Sequence, residues 1–311
     1  MGTKNKRNRR IIIISIILSI LSITTLILNL GLNTKIKNIN IKYKKILSEK
    51  EKIEKAINNT NVEKENITKE TELIKNIDKN ITDQKNKYYQ KLKLLEDNIL
   101  SGKSNKKIAY LTFDDGPYYT TYKFLDILDK YNVKATFFTI GTGKEKCYDN
   151  NEYNCNLLFK EEAKRGHTIA NHTYSHAIFK GLYTSPESFI NEVKKQEELI
   201  KKETGIITNI VRFPGGAKSS GSQKEGIIQK LKENNYGWVD WTAQDGDGGA
   251  LKSTEQAWSI FTNSINENIE VILMHDYNTI TLAILPDIIE YLQKNNYILL
   301  PLFYESNMIN K

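Results

Sequence analysis

From Ile108 onward the chain alternates short apolar runs with amphipathic stretches, and that alternation limits its fold more than any other feature. Seven runs read as strands: Ile108–Phe113, Ala135–Ile140, His167–Ala170, Ile210–Phe213, Gly237–Trp241, Val271–Met274 and Ile298–Leu302. Helical periodicity lies between several of them, as in Tyr122–Lys130, Ser185–Glu203 and Lys224–Asn234. Strand–helix alternation predicts a parallel sheet, and seven strands over about 200 residues predict an α/β domain built as an open or distorted (β/α) barrel. In such a barrel the reactive groups gather beyond the C-terminal ends of the strands.

The N-terminal third has a different texture. Ile11 to Leu32 is almost wholly apolar, long enough to cross a bilayer as one helix. Lys4, Lys6, Arg7, Arg9 and Arg10 precede it, which keeps the N-terminus cytoplasmic and exports the rest. A cleaved signal peptide is the competing reading. The length of the run and the lack of alanine before Ala56 favour an uncleaved signal anchor.

Residues 35–100 contain no proline or glycine. Positions 46, 53, 60, 67, 74, 81, 88 and 95 are Ile, Ile, Thr, Ile, Ile, Ile, Tyr and Leu, a heptad stripe on one line. The second core position is patchier, so a weak coiled coil and a single amphipathic stalk helix of roughly 100 Å both fit. A homodimer through the stripe is the partner reading, and a spacer is the simpler one. Ser101–Asn105 reads as a linker. The expected domains are a basic N-terminus (1–10), a transmembrane anchor (11–32), a helical stalk and linker (33–103) and a catalytic domain (104–311).

Charge follows the same division. Residues 1–103 hold 22 Lys+Arg against 11 Asp+Glu, and the remainder hold 23 against 26. The overall +8 therefore belongs to the N-terminal arm, and the mildly acidic remainder excludes a nucleic-acid footprint. Cys147 and Cys155 in the exported part are either a short-loop disulfide or two unrelated thiols.

Polar cargo sits at the strand ends. The first strand delivers Thr112-Phe113-Asp114-Asp115-Gly116-Pro117, and the third runs into Asn171-His172-Thr173-Tyr174-Ser175-His176. The fourth delivers Arg212-Phe213-Pro214-Gly215-Gly216, the fifth Asp240-Trp241, and the sixth Leu273-Met274-His275-Asp276. His172 and His176, four apart, would share one side of a helical turn. With Asp115 they make a three-ligand site with an open position, the arrangement of catalytic zinc. Asp114 would then be free to take a proton from water. Arg212 would hold Asp114 ionised through a bidentate contact, and His275 would protonate a departing amine with Asp240 as its orienting carboxylate. Asp245 and Asp247 are the alternatives to Asp240. Backbone N–H groups around Gly215 would complete an oxyanion site. The sum is metal-assisted hydrolysis of an amide or ester. Zinc is the expected metal, with cobalt and manganese as alternatives.

These motifs, taken together and in order, resemble those of the polysaccharide deacetylases of carbohydrate esterase family four. Thr-Phe-Asp-Asp-Gly (112–116), His-Thr-x-x-His (172–176), Arg-x-Pro-x-Gly (212–216), Asp-Trp (240–241) and Leu-x-His (273–275) carry the resemblance, which covers about residues 104–305. It implies a distorted (β/α) barrel, Asp114 as base, and Asp115, His172 and His176 as metal ligands. It also implies Arg212 steering the base and His275 as acid. Gly215 departs from the family, many of whose members carry an aromatic residue there. Two functions from different classes are weighed. One is a deacetylase of cell-wall polysaccharide outside the cell, acting on N-acetylglucosamine of peptidoglycan, with N-acetylmuramic acid, chitin-like oligomers and exopolysaccharide as other substrates. The other is a non-catalytic, membrane-anchored wall-binding scaffold. His167 reads as structural, at least two of Trp238, Trp241 and Trp258 as core, and Tyr118 and Tyr119 as sugar contacts.

Overall fold

The computed structural model describes residues 32–59, 64–141 and 155–311. The anchor expected at 11–32 lies outside these residues except for Leu32, and so does Cys147 with any disulfide to Cys155. No helix among the described residues is long and apolar enough to cross a membrane. The chain divides into two compact units, Met1–Tyr88 and Tyr89–Lys311.

The first unit holds α1 (Leu32–Asn59) and the start of α2 (Lys64–Leu100). Of the two readings that the heptads allow, a weak coiled coil and a single stalk helix, it differs from the second. Ile46 and Ile77 are buried in one cluster, with Ile53 and Ile81 packed against them. Lys50 Nζ lies 2.9 Å from Asp78 Oδ1. In one straight helix residues 46 and 77 would stand about 46 Å apart, so they meet only because the chain folds back. Ile46, Ile53 and Ile81 of the stripe thus pack with Ile77 within the chain.

The second unit begins inside α2. Leu92 and Ile99 are buried, and the Tyr89 and Phe303 rings stack at 5.1 Å. Glu96, fully buried, accepts hydrogen bonds from Tyr110 Oη (2.5 Å), Ser306 Oγ (2.6 Å) and the Asn307 N–H (2.7 Å). The compact unit thus starts at Tyr89, fifteen residues before the expected boundary at 104.

The sheet has eight parallel strands: β1 (Lys107–Asp114), β2 (Thr136–Thr139), β3 (Thr168–Asn171), β4 (Ile210–Val211), β5 (Gly237–Trp238), β6 (Ala243–Gln244), β7 (Ile269–His275) and β8 (Tyr297–Leu300). Their order is β5-β4-β3-β2-β1-β7-β6, with β8 paired to the first half of β1. β5 and β6 are not paired, so the barrel stays open, as expected. β6 is the strand the hydropathy pattern does not reveal, because Ala243-Gln244 is followed by Asp245-Gly246-Asp247 and belongs to no apolar run. Between the strands lie α3 (Thr121–Lys130), α4 (Cys155–Lys164), α5 (Pro186–Thr204), α6 (Lys224–Glu233), α7 (Thr254–Ser264) and α8 (Thr279–Lys294).

β1 and β7 are buried on both faces along nearly their whole length, which is why they read as continuous apolar runs. Their side chains meet Phe124 and Leu125 of α3 and Leu285 and Ile288 of α8 in the main core. Ser185 caps α5 by accepting from the Ser188 N–H, Pro186 occupies its first turn, and Gly205 (φ 74°) ends it. Register then aligns the working ends: Asp114 lies opposite Phe138 and His275, and Asn171 opposite Thr139 and Val211.

Candidate metal and hydrolase site

Asp115, His172 and His176 converge just past the ends of β1 and β3, their ligand atoms all within 4.8 Å of one another. His176 Nε2 is 3.3 Å and His172 Nε2 is 3.5 Å from Asp115 Oδ1. That oxygen is buried and has no hydrogen-bond partner. An orphaned carboxylate oxygen facing two imidazole nitrogens is costly without a cation, so these residues fit a divalent metal. The fit extends outward. The Arg212 carbonyl lies 2.9 Å from His172 Nδ1 and accepts its N–H, which leaves the lone pair of Nε2 facing Asp115. Burial, acting first, lowers the His172 pKa to about 3, so the ring stays neutral as a ligand requires.

The local backbone differs from the helical turn expected for His172 and His176. Residues 172–177 form an irregular loop in which Thr173 (φ 66°) and His176 (φ 52°) are left-handed, as is Asp115 (φ 71°). Side chains hold the loop. Asn171 Oδ1 accepts from the Thr173 N–H (2.9 Å), while Asn171 Nδ2 donates to the Val193 carbonyl (2.8 Å). Thr173 Oγ1 accepts from the His176 N–H (3.2 Å), and Glu192 from the Ser175 N–H (2.7 Å). Gly116 is obligatory for another reason: a Cβ there would stand 2.4 Å from the Asp276 carboxylate.

Asp114 sits beside this triad, 3.6 Å from His172 Nε2 through Oδ2. Arg212, with no exposed surface, reaches it through Nη1, which lies 2.9 Å from Asp114 Oδ1 and 2.7 Å from Thr112 Oγ1. The contact is one-pronged, not the bidentate pair expected. The rest of the fork is taken by backbone carbonyls, Nη2 by Asp240 (3.1 Å) and Nε by Val239 (3.3 Å). Burial raises the Asp114 pKa against the pull of Arg212, which suits a carboxylate that must accept a proton.

His275 approaches from β7, its Nε2 4.0 Å from Asp115 Oδ2. Its partner is Asp247, not Asp240: Asp247 Oδ1 lies 2.6 Å from His275 Nδ1, and Oδ2 accepts the His275 N–H (2.7 Å). Asp240 is turned to the β4 end, where its carboxylate accepts the Ala217 N–H (3.0 Å) and its carbonyl holds Arg212. The reason is topological. Asp240 follows β5, at the far edge of the sheet from β7, while Asp247 follows β6, which pairs with β7. Desolvation alone would lower the His275 pKa, but the Asp247 hydrogen bond and charge outweigh it and push it up to about 9. Asp245 is pushed up to about 7 by burial and then by the Asp247 charge; it supports Asp247 instead of His275, accepting the Asp247 N–H (3.1 Å) and lying 2.7 Å from Thr281 Oγ1.

The other sequence readings fall out simply. His167 is buried, with Nδ1 accepting the Ala135 N–H (3.1 Å). Trp258 packs on Phe261 and Tyr291, and Trp238 on Phe213, so two of three tryptophans are core. Trp241 lies over the Gly216 turn and faces Arg212. Tyr277, 5.1 Å from the His275 ring, escaped the sequence reading because a lone tyrosine after Leu-x-His-Asp carries no pattern.

Comparison with known proteins agrees with this geometry. A family model described as polysaccharide deacetylase matches residues 101–236. A peptidoglycan-N-acetylglucosamine deacetylase of Bacillus cereus is 33% identical over 198 residues, covering 62% of this chain and 68% of that one. The chain belongs to the polysaccharide deacetylase family. The catalytic domain of the peptidoglycan N-acetylglucosamine deacetylase of Eubacterium rectale superposes with a TM-score of 0.60 at 35% identity, covering 67% of this chain and 93% of that one. A polysaccharide deacetylase of Bacillus cereus does so with a TM-score of 0.57 at 31% identity, covering 65% and 95%. The chain is a deacetylase-type hydrolase on a curled, parallel (β/α) frame.

Proposed function

We propose that this chain is a metal-dependent N-deacetylase of cell-wall polysaccharide, acting on N-acetylglucosamine of peptidoglycan outside the cell. The observation that carries the chemistry is the orphaned Asp115 Oδ1 facing two imidazole Nε2 atoms, flanked by Asp114–Arg212 on one side and His275–Asp247 on the other. The names of the relatives above support the substrate, and the basic-then-apolar N-terminus supports a single-pass anchor with the catalytic domain exported.

Asp115, His172 and His176 would hold the cation, zinc by the donor set. When bound, the cation supplies Lewis acidity to the acyl carbonyl and lowers the pKa of water. Asp114, fixed by Arg212 and Thr112, takes the proton of the attacking water. The Gly215 turn offers backbone N–H to the developing oxyanion. His275, protonated through Asp247, gives its Nε2 proton to the amine as the carbon–nitrogen bond breaks, leaving acetate and an amino sugar. A wall-binding scaffold would need none of this pairing of acid and base.

The test is acetate release from N-acetylated peptidoglycan by the full chain, with zinc, with chelator, and with Asp114→Asn. Release that requires both zinc and Asp114 supports the reading. Intact, zinc-loaded protein that releases nothing from peptidoglycan or chitin oligomers overturns it in favour of the scaffold.

A further inference from the structure

On the β4 side of the cleft Trp241 lies over the Gly216 turn, and position 215 has no side chain to offer. A Cβ there would stand 2.9 Å from Ser219 Oγ and 3.3 Å from Ile178 Cδ1, on a backbone with φ +70°. The turn is built for glycine: an added side chain would strain the backbone and press on these neighbours.

On the opposite flank, beyond the adjacent strands β1 and β7, two tyrosines meet. The Tyr118 and Tyr277 rings are 5.1 Å apart between centroids at 51°, and the Tyr277 ring is 5.1 Å from the His275 imidazole at 42°. Both are half-buried. Burial first and the Asp115 charge second raise both phenol pKa values, which places both side chains in the field of the metal-binding carboxylate.

Each ring stands on fixed backbone. Thr121 Oγ1 accepts the Tyr118 N–H (2.8 Å), and the Tyr118 carbonyl accepts the Thr121 N–H (3.1 Å). Tyr277 lies between His275 and Asn278, the residue that caps α8 through the Ile280 N–H (2.9 Å) and donates to the Asp247 carbonyl (3.3 Å). A ring held this way presents a flat apolar face at little entropic cost on binding. The C–H faces of a pyranose pack on such a surface, and a sugar seated there would have its acylated nitrogen near His275.

We propose that Tyr277, backed by Tyr118, is the sugar-stacking platform of this enzyme, so that the β1–β7 rim, not the third-signature turn, seats the N-acetylhexosamine to be deacetylated. The inference rests on the deacetylase reading. Tyr277 is a specificity-determining contact, and the proton chemistry stays with Asp114 and His275.

The experiment uses the full chain with zinc and an N-acetylglucosamine tetramer, following acetate release over a range of tetramer concentrations. Tyr277→Ala is expected to raise KM about tenfold, with kcat falling less than about threefold, whereas Tyr277→Phe and Tyr277→Trp keep KM near the unsubstituted value. If the alanine variant melts early, Tyr277→Leu keeps the bulk without the flat face and is expected to show the same KM rise. A fall in kcat at constant KM would overturn the proposal by making Tyr277 a prop for His275. So would a phenylalanine variant as impaired as the alanine one, or variants indistinguishable from the unsubstituted chain. Failure of the deacetylase reading looks different: the unsubstituted protein itself would release no acetate.

Discussion

Replacing Asp247 with asparagine tests the acid half of the site directly. Asp247 Oδ1 lies 2.6 Å from His275 Nδ1, and this pairing is the main reason that the imidazole pKa stands at about 9 despite burial. Asp247→Asn would keep the shape and an acceptor oxygen but lose the charge. Only the Asp114 and Asp115 charges then remain against burial, and the His275 pKa should fall toward 6.5, a drop of about 2.5, or roughly 3 kcal/mol. The sign follows from the role: a general acid works while protonated, so activity is lost as pH rises through its pKa. At pH 8 the protonated fraction would drop from about 0.9 to about 0.03, a loss of roughly thirtyfold in kcat/KM, while at pH 5.5 the two proteins should nearly agree. A cation on Asp115 would cancel part of that carboxylate's pull and place the unsubstituted alkaline limb at or somewhat below 9. Stability follows the same proton: the contribution of His275 is complete below about 6.5 and is lost as pH rises through about 9. The assay is a kcat/KM profile from pH 5 to 10 with saturating zinc, with Asp240→Asn alongside. An alkaline limb that stays in place in Asp247→Asn, or moves in Asp240→Asn, would refute the assignment.

Three further outcomes follow from the same geometry. Glu96→Ala leaves the Tyr110 hydroxyl, the Ser306 hydroxyl and the Asn307 N–H without their buried acceptor, and should cost about 3–5 kcal/mol in urea unfolding of the catalytic unit. Asp115→Asn should weaken zinc binding by tenfold or more in equilibrium dialysis and reduce the rise in Tm that zinc gives the unsubstituted chain. Arg212→Lys cannot reach Asp114, Thr112 and two carbonyls together, so acetate release should fall at least tenfold and Tm with it; a variant with full activity would show that the fork is dispensable.

The sequence spoke most clearly where physics is local. β1 and β7 read as strands because they are buried on both faces, and the helical periodicity over Ser185–Glu203 matches α5. Asp114, Asp115, His172, His176, Arg212 and His275 were each legible as polar groups at apolar strand ends, and they do come together. The errors share a cause: they depend on which distant elements become neighbours. Asp240 looked like the partner of His275 because it ends the preceding visible strand. The short β6 was invisible, and it is β6 that brings Asp247 beside β7. The heptad stripe announced a helix partner but not where that partner comes from, and the chain answers it with its own second helix. Glu96 is buried against β1 and the C-terminal segment, and nothing local in the sequence marks it, because its partners lie far along the chain.

Asp115, Thr173 and His176 all hold left-handed backbone conformations, costly for residues with a Cβ and most so for branched Thr173. At each position glycine would relieve the backbone, on the order of 1 kcal/mol apiece. Folding alone therefore pulls Asp115 and His176 toward glycine, while the Thr173 hydroxyl repays part of its own cost by accepting the His176 N–H. At the two ligand positions the chain thus gives up stability to keep side chains that its fold does not need.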